Sequence, residues 1–358
     1  MQRPDGHGQT FVVPTSIQGN CSIDVTSELQ SWLDSTPDDA RLEFRRGACF
    51  RIEGTLVLKA RHDLVIDGLG ATLKATTRGS GGRLQVRARS QVSVVNSSAV
   101  TIRDLDVHGA NPHAGTSVNA YQPALEAQHA FNLLGDDRVT LEHVEASDVY
   151  GDFVYIGGSA TGPSEHITVS ESRFERSGRQ GISVTNADDV QIVRNTIGEV
   201  ARSLIDLEPN LPSQEARDIR IVGNTTGAAR NFWLADKGSG FNVGNVTVTD
   251  NVMQAATGGL VFVYGPKRAK RGPFVFTGNV FQVTGAVTDE QATGAFFFAN
   301  AADVSITDNQ LTVPPERAMP AVELRATNDV VISRNRFAGT AKPLLSDSSS
   351  TGVRLTPG

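Results

Sequence analysis

The stretch Ser203-Leu204-Ile205-Asp206-Leu207-Glu208 alternates apolar and acidic side chains. Alternate residues of an extended strand share a face, so Asp206 and Glu208 point the same way. Residues i and i+2 lie ~6.6 Å apart along a strand, close to the carboxyl separation of inverting glycosidases. One carboxyl would protonate a leaving oxygen while the other activates water, with burial raising the donor's pKa. Two like charges on one face cost stability unless a partner or a function compensates. The same hard oxygens could instead hold calcium. A base would then have to come from a nearby cation, and Arg179, Arg230 and Lys237 lie within about one structural repeat of the pair.

Further candidates flank this pair. Asp152, in "YGDFVYIGG", is a third acid, a sugar ligand or a turn cap. Arg179 and Gln180, in "SGRQG", begin a neighbouring strand, where Arg179 either pairs with Asp152 or binds substrate. His129 starts the strand before Asp152, and Asp236 and Lys237 end a later one. Tyr155, Trp233 and Tyr264 stand on the strands around the pair. Exposed aromatic rings beside carboxylates suit a glycan, whose C–H faces stack on rings and whose hydroxyls bond to acids. No histidine spacing suggests a metal site, and no nucleotide loop or serine triad is recognisable.

These residues are brought together only if the chain repeats. Six segments share an apolar-x-apolar-x-x-Asn pattern: "VQIVRN", "IRIVGN", "VTVTDN", "FVFTGN", "VSITDN" and "VVISRN". Their asparagines, Asn195, Asn224, Asn251, Asn279, Asn309 and Asn335, are 29, 27, 28, 30 and 26 residues apart by difference of number. "ITVSES", "VTLEHV" and "VTIRDL" continue the register upstream without the Asn. A drifting period of this size, with strand alternation and no helix, predicts a solenoid of stacked parallel strands. About ten coils at ~4.8 Å each would make a rod on the order of 50 Å long, right-handed as parallel crossovers nearly always are. The asparagines are expected at one turn, in left-handed backbone and bonded to the next coil. A propeller blade needs more residues than these coils have.

The second strand of each coil reads "FNLL", "VYIG", "ISVT", "IDLE", "FWLA", "VFVY", "FFFA" and "VELR". First and third letters are apolar and would fill the core. The second letters would face solvent: Asn132, Tyr155, Ser183, Asp206, Trp233, Phe262, Phe297 and Glu323. Longer connections after "IDLE", "FWLA" and "VFVY", together with the insertion at 109–128, would wall this face, since insertions on one side of a solenoid mark the binding side. "SIDVTSELQSWLDSTP" predicts a short capping helix with Thr26 as N-cap and Leu29, Trp32 and Leu33 on its apolar side. The expected organisation is an N-terminal segment and cap over 1–39 and the solenoid over 40–358.

The coil repeat, the Asn ladder and "VIDGLGATL" at the first turns resemble the pectate-lyase-like family of right-handed parallel β-helices, over about residues 40 to 350. The resemblance implies an all-β fold and one of several activities, since the family holds polysaccharide lyases, glycoside hydrolases, epimerases and phage tailspikes. The Arg-x-Pro-x-x-Arg pattern of pectate lyases is absent, as are the polygalacturonase acid motifs in their usual form.

Composition agrees. Of 358 residues, 35 are glycine, only 6% are aromatic and 20% charged, which favours short strands and turns over helices. A net charge of −6 argues against nucleic acid as a partner, and no apolar run is long enough to span a membrane. Cys21 and Cys49 suit one local disulfide and an oxidising compartment. The expectation is a secreted enzyme hydrolysing a polysaccharide without a cofactor. Asp206, Glu208 and Asp152 would be its acids; Tyr155, Arg179, Gln180, Arg230, Trp233, Asp236, Lys237, Tyr264 and His129 would hold the substrate. The runner-up is a calcium-dependent lyase or C5-epimerase on a uronate polymer, for which the basic run Lys267, Arg268, Lys270 and Arg271 would hold the anion. A non-catalytic adhesin or tailspike is the third reading.

Overall fold

The computed structural model describes residues 8–78, 89–240, 242–256, 259–267, 270–283, 294–315 and 319–356. Its long strand ladders are parallel, as a solenoid requires. Eleven strands, from Leu56–Lys59 to Lys342–Ser346, stack in coil order into one sheet. A second, 24-stranded sheet forms the rest of the wall. The chain is a right-handed parallel β-helix with one short N-terminal helix. Among the described residues no helix is long and apolar enough to cross a membrane.

The asparagine ladder is present. Asn195 Nδ2 donates to Asn224 Oδ1 at 3.0 Å, Asn224 to Asn251 at 2.9 Å, Asn251 to Asn279 at 3.0 Å, Asn279 to Asn309 at 2.8 Å and Asn309 to Asn335 at 3.1 Å. The left-handed backbone lies one residue earlier than expected. Arg194, Gly223, Asp250, Gly278, Asp308 and Arg334, each just before a ladder asparagine, have φ between 54° and 69°. The turn is therefore made by the preceding residue, and the asparagine is free to point inward and satisfy buried backbone groups.

The helix spans Thr26–Ser35 and buries Leu29, Trp32 and Leu33 against the first coils. Thr26 is its first residue rather than its N-cap. Asp24 accepts the Thr26 N–H at 3.0 Å, while Thr26 Oγ1 accepts from the backbone of Glu53 and Gly54 in the next turn of chain. The threonine thus ties the cap to the solenoid. Strands Thr10–Val12 and Asn20–Asp24 pair in parallel with Ala40–Glu43 and Cys49–Arg51. Cys21 and Cys49 are joined in a disulfide across the latter pair.

Within the 11-stranded sheet the register follows the inward apolar residues. Phe131, Val154, Ile182, Ile205, Leu234, Val261, Phe296 and Val322 form one continuous inward row. At most of these rungs the residue just before is also in the core: Ala130, Phe153, Leu204, Trp233, Leu260, Ala295 and Ala321. Most corners thus turn two consecutive side chains inside, so strict alternation begins one residue later than the apolar run.

Candidate functional site

The outward row beside that core reads Asn132, Tyr155, Ser183, Asp206, Ala235, Phe262, Phe297 and Glu323. Seven of these hold the expected place in the row, but Ser183, Asp206, Phe262, Phe297 and Glu323 are buried there rather than facing solvent. The eighth does not hold its place: Asp206 is paired with Ala235, two residues beyond Trp233. Trp233 takes the corner position instead, is 0% exposed, packs edge-on against Phe281 and donates its indole N–H to Thr226 Oγ1 at 2.9 Å. It is core, not platform. The residue beside Asp206 is thus a small one, Ala235, itself buried among Phe232 and Phe262. Trp233→Ala is expected to cost about 3–5 kcal/mol of stability, read from chemical denaturation. A ligand-affinity loss at unchanged stability would contradict this burial.

Asp206 and Glu208 project from one strand, but their surroundings differ sharply. Asp206 is 4% exposed and receives Gln180 Nε2 on Oδ2 at 2.6 Å. Burial first, then the charge of Glu208, push its carboxyl well above the usual carboxylate range, against the pull of Arg179 and Arg202. The orientation of Gln180 is fixed independently, because its Oε1 accepts the Ser203 backbone N–H at 2.6 Å. With Oδ2 already an acceptor, Oδ1 is the oxygen left to carry a proton. Glu208 is partly exposed and accepts Arg179 Nη2 at 3.1 Å.

Arg179 is the hub. Its Nη1 donates to Asp152 Oδ2 at 2.8 Å, and its Nε lies 3.8 Å from Glu126. Asp152 first, then Glu208, hold the guanidinium's pKa above its ordinary value against the cost of burial. Asp152 is 0% exposed, and its oxygens also accept the Gln180 N–H at 2.9 Å and Ser183 Oγ at 2.8 Å. It is thus an anchor for Arg179 and Gln180, out of reach as a third acid. His129 is buried, stacks on Tyr155 with centroids 4.8 Å apart, and accepts the Asp152 backbone N–H on Nδ1. Burial lowers its pKa to about 4, so it stays neutral and braces Tyr155. The Tyr155 hydroxyl accepts from Thr185 Oγ1 at 3.0 Å.

The remaining expected residues separate. Lys237 and Tyr264 follow Glu208 in the next outward row. Arg230 stands half-buried in the corner ahead of Phe232–Asp236. Asp236 turns inward and pairs with Arg271 at 2.6 Å, both fully buried, so neither meets a substrate. Arg271 also donates to the carbonyls of Gly238 and Gly240. It is a staple for the loop after Asp236, not a polymer clamp. Of the basic run, Arg268 lies outside the described residues, as does the Lys270 side chain, and Lys267 is exposed.

Both sides of the acids are walled. The 109–128 insertion brings Tyr121 under Arg202, 5.0 Å from ring centroid to guanidinium carbon, and Tyr121 donates to Glu126 at 2.6 Å. Across the groove, Gly240 N–H bonds to Pro209 O and Ser239 Oγ to Asn210 O, joining the loops of successive coils. Arg202, one rung from Arg179, escaped sequence reasoning because nothing in "ARSL" distinguishes it from any surface arginine. A cleft of about 450 Å³ lies on the other sheet, lined by Glu165, Asp188, Asp218 and Asn245, among others. It contains none of the groove residues.

Among the described residues no group of three or more His, Cys, Asp or Glu is placed to hold a metal ion. The acids that calcium would need converge on Arg179 instead, so the donor set does not fit that ion.

The family described as "Right handed beta helix region" matches residues 90–316. No curated protein sequence matches the chain. Among solved structures, the Streptococcus pneumoniae surface protein and adhesin PfbA is similar at 14% identity and a TM-score of 0.68, covering 97% of this chain and 98% of that one. A lidless DFA-IIIase from Arthrobacter chlorophenolicus shares 12% identity at a TM-score of 0.68, over 99% and 100% of the two chains. A polygalacturonase from Erwinia carotovora shares 14% identity at 0.61, over 99% and 98%.

Proposed function

The chain belongs to the right-handed β-helix family, and on that premise we propose that it is an extracellular enzyme that hydrolyses a glycan in the groove described above. One observation carries the reading: two carboxyls two residues apart that stand in unlike environments. Asp206 is sheltered and its pKa is raised, which suits it to give a proton. Glu208 is partly open and held by Arg179, suited to act as the carboxylate that activates water. In the reaction Asp206 Oδ1 donates its proton to the glycosidic oxygen as the C–O bond breaks. Water adds to the sugar carbon and loses its proton toward Glu208. Tyr155, with one face on His129, offers the sugar its other face.

Similarity to a polygalacturonase and a DFA-IIIase agrees with an enzyme, and similarity to an adhesin keeps binding without turnover as the contrasting outcome. The elimination route has less support. It needs a neutral base, and Arg179, shared between Asp152 and Glu208, holds its proton more tightly than an ordinary arginine. The test is a panel of polysaccharides with products read by mass and ultraviolet absorbance. Hydrolysis adds one water per cleavage and creates no double bond. Products of unchanged total mass that absorb would sink the reading, as would tight binding with no products.

A further inference from the structure

A second apolar cluster lies outside the solenoid core, on the groove face beyond the acids: Phe232, Ala235, Phe262, Phe297 and Ala299. The Phe232 and Phe262 rings stack at 4.8 Å with planes 27° apart, and Phe262 and Phe297 at 4.9 Å and 14°. The core beneath is already filled by Leu234, Val261 and Phe296, so closing the coils does not require these rings. They make a rigid floor instead. On it lie Lys237, whose ammonium is 4.7 and 4.6 Å from the Phe232 and Phe262 centroids, and Tyr264, whose ring is 22° from that of Phe262 at 6.3 Å. Tyr264 is 54% exposed, unusual for an aromatic ring with so much apolar support beneath it.

The register ties this platform to the acids. Leu207 is paired with Asp236 and Asp236 with Val263, so Glu208, Lys237 and Tyr264 occupy the same outward position in three successive rungs. Two rungs amount to ~10 Å, farther than one sugar ring reaches.

We propose that Tyr264 and Lys237, on the Phe232–Phe262–Phe297 floor, form a distal subsite that grips a sugar unit of the same glycan beyond the one at the acids. This rests on the glycan reading. The exposed phenol ring stacks on the C–H face of the sugar, and the Lys237 ammonium, positioned by two aromatic faces, donates to its hydroxyls. A subsite two rungs away makes the protein select for chain length.

The experiment uses the glycan that the panel identifies, cut by partial acid hydrolysis into a graded set of oligosaccharides. Turnover and calorimetric affinity are measured on the parent, Tyr264→Ala and Tyr264→Phe. Tyr264→Ala is expected to lose about tenfold in kcat/KM, or in affinity, on long chains. It should match the parent on the shortest chain accepted, and Tyr264→Phe should match it throughout. An equal loss at every length, or none, overturns the subsite while leaving the hydrolase reading intact. A parent that binds long chains without cleaving them overturns the hydrolase reading, and the affinity arm still decides the subsite. A parent that neither binds nor cleaves any glycan overturns both.

Discussion

Asp206→Asn is expected to lower turnover by about 10²–10⁴-fold, the span of a lost general acid, with glycan affinity nearly unchanged. The substitution is close to isosteric, and the new side-chain oxygen can still accept the Gln180 amide that now reaches Asp206 Oδ2 at 2.6 Å. What it removes is the transferable proton. The parent's pH profile follows from the same group. Its pKa is raised by burial and by Glu208, so the active, neutral form persists above the ordinary carboxylate range and the rate falls as pH rises through the elevated value. Stability has the matching sign. An acid whose folded pKa exceeds its unfolded one binds a proton more tightly in the native state. Its contribution is therefore fully present below the unfolded value and is lost as pH climbs through the folded one. Asp206→Asn should flatten that loss, so urea midpoints of variant and parent should differ more at mildly alkaline than at mildly acidic pH. Full turnover by the variant would remove Asp206 from the chemistry.

The fold was legible because a solenoid repeats its constraints. Each coil must supply inward apolar residues and an inward amide at the same turn, so six asparagines and a row of apolar pairs stand out without any tertiary information. That Asp206 and Glu208 share a face was legible for a related reason: alternate residues of "IDLE" point the same way. Failure came where the local pattern admits two phases. "FWLA" is apolar throughout, so either Phe232 or Leu234 can be set against Ile205. The choice is made at the corner, where an apolar residue turns inside just before the strand, as Leu204 and Leu260 do in neighbouring coils. Trp233 fills that corner, and the two-residue shift brings Ala235 beside Asp206.

Asp152 and Asp236 mark a second limit. A carboxylate at a strand end reads the same whether it faces ligand, solvent or a cation from another coil. Both turned out to be buried against an arginine distant in sequence, Arg179 for one and Arg271 for the other. Outward direction was also mistaken for exposure at Phe262 and Phe297, which point away from the core yet are covered by their own stack. Period-two patterning reports which face a residue is on. It says nothing about what lies over that face.

Arg179→Met should combine a large stability loss with inactivity. The guanidinium is the cation between a fully buried Asp152 and Glu208. Removing it leaves Asp152 charged in the interior with only the Gln180 N–H and Ser183 Oγ as donors, and breaking a buried pair from one side costs about 3–5 kcal/mol. Arg179→Lys should fall between, because a point charge cannot span two acids as a planar fork does. The pairing predicts a specific rescue. Adding Asp152→Asn to Arg179→Met removes the stranded charge and should recover most of the lost stability by urea unfolding, yet Glu208 remains untethered and turnover stays low. If the single variant unfolds within about 1 kcal/mol of the parent, below what a broken buried pair should cost, Arg179 is not the strut of this site. If the double variant regains activity along with stability, then Arg179 acts only through Asp152, and its contact with Glu208 is incidental to the reaction.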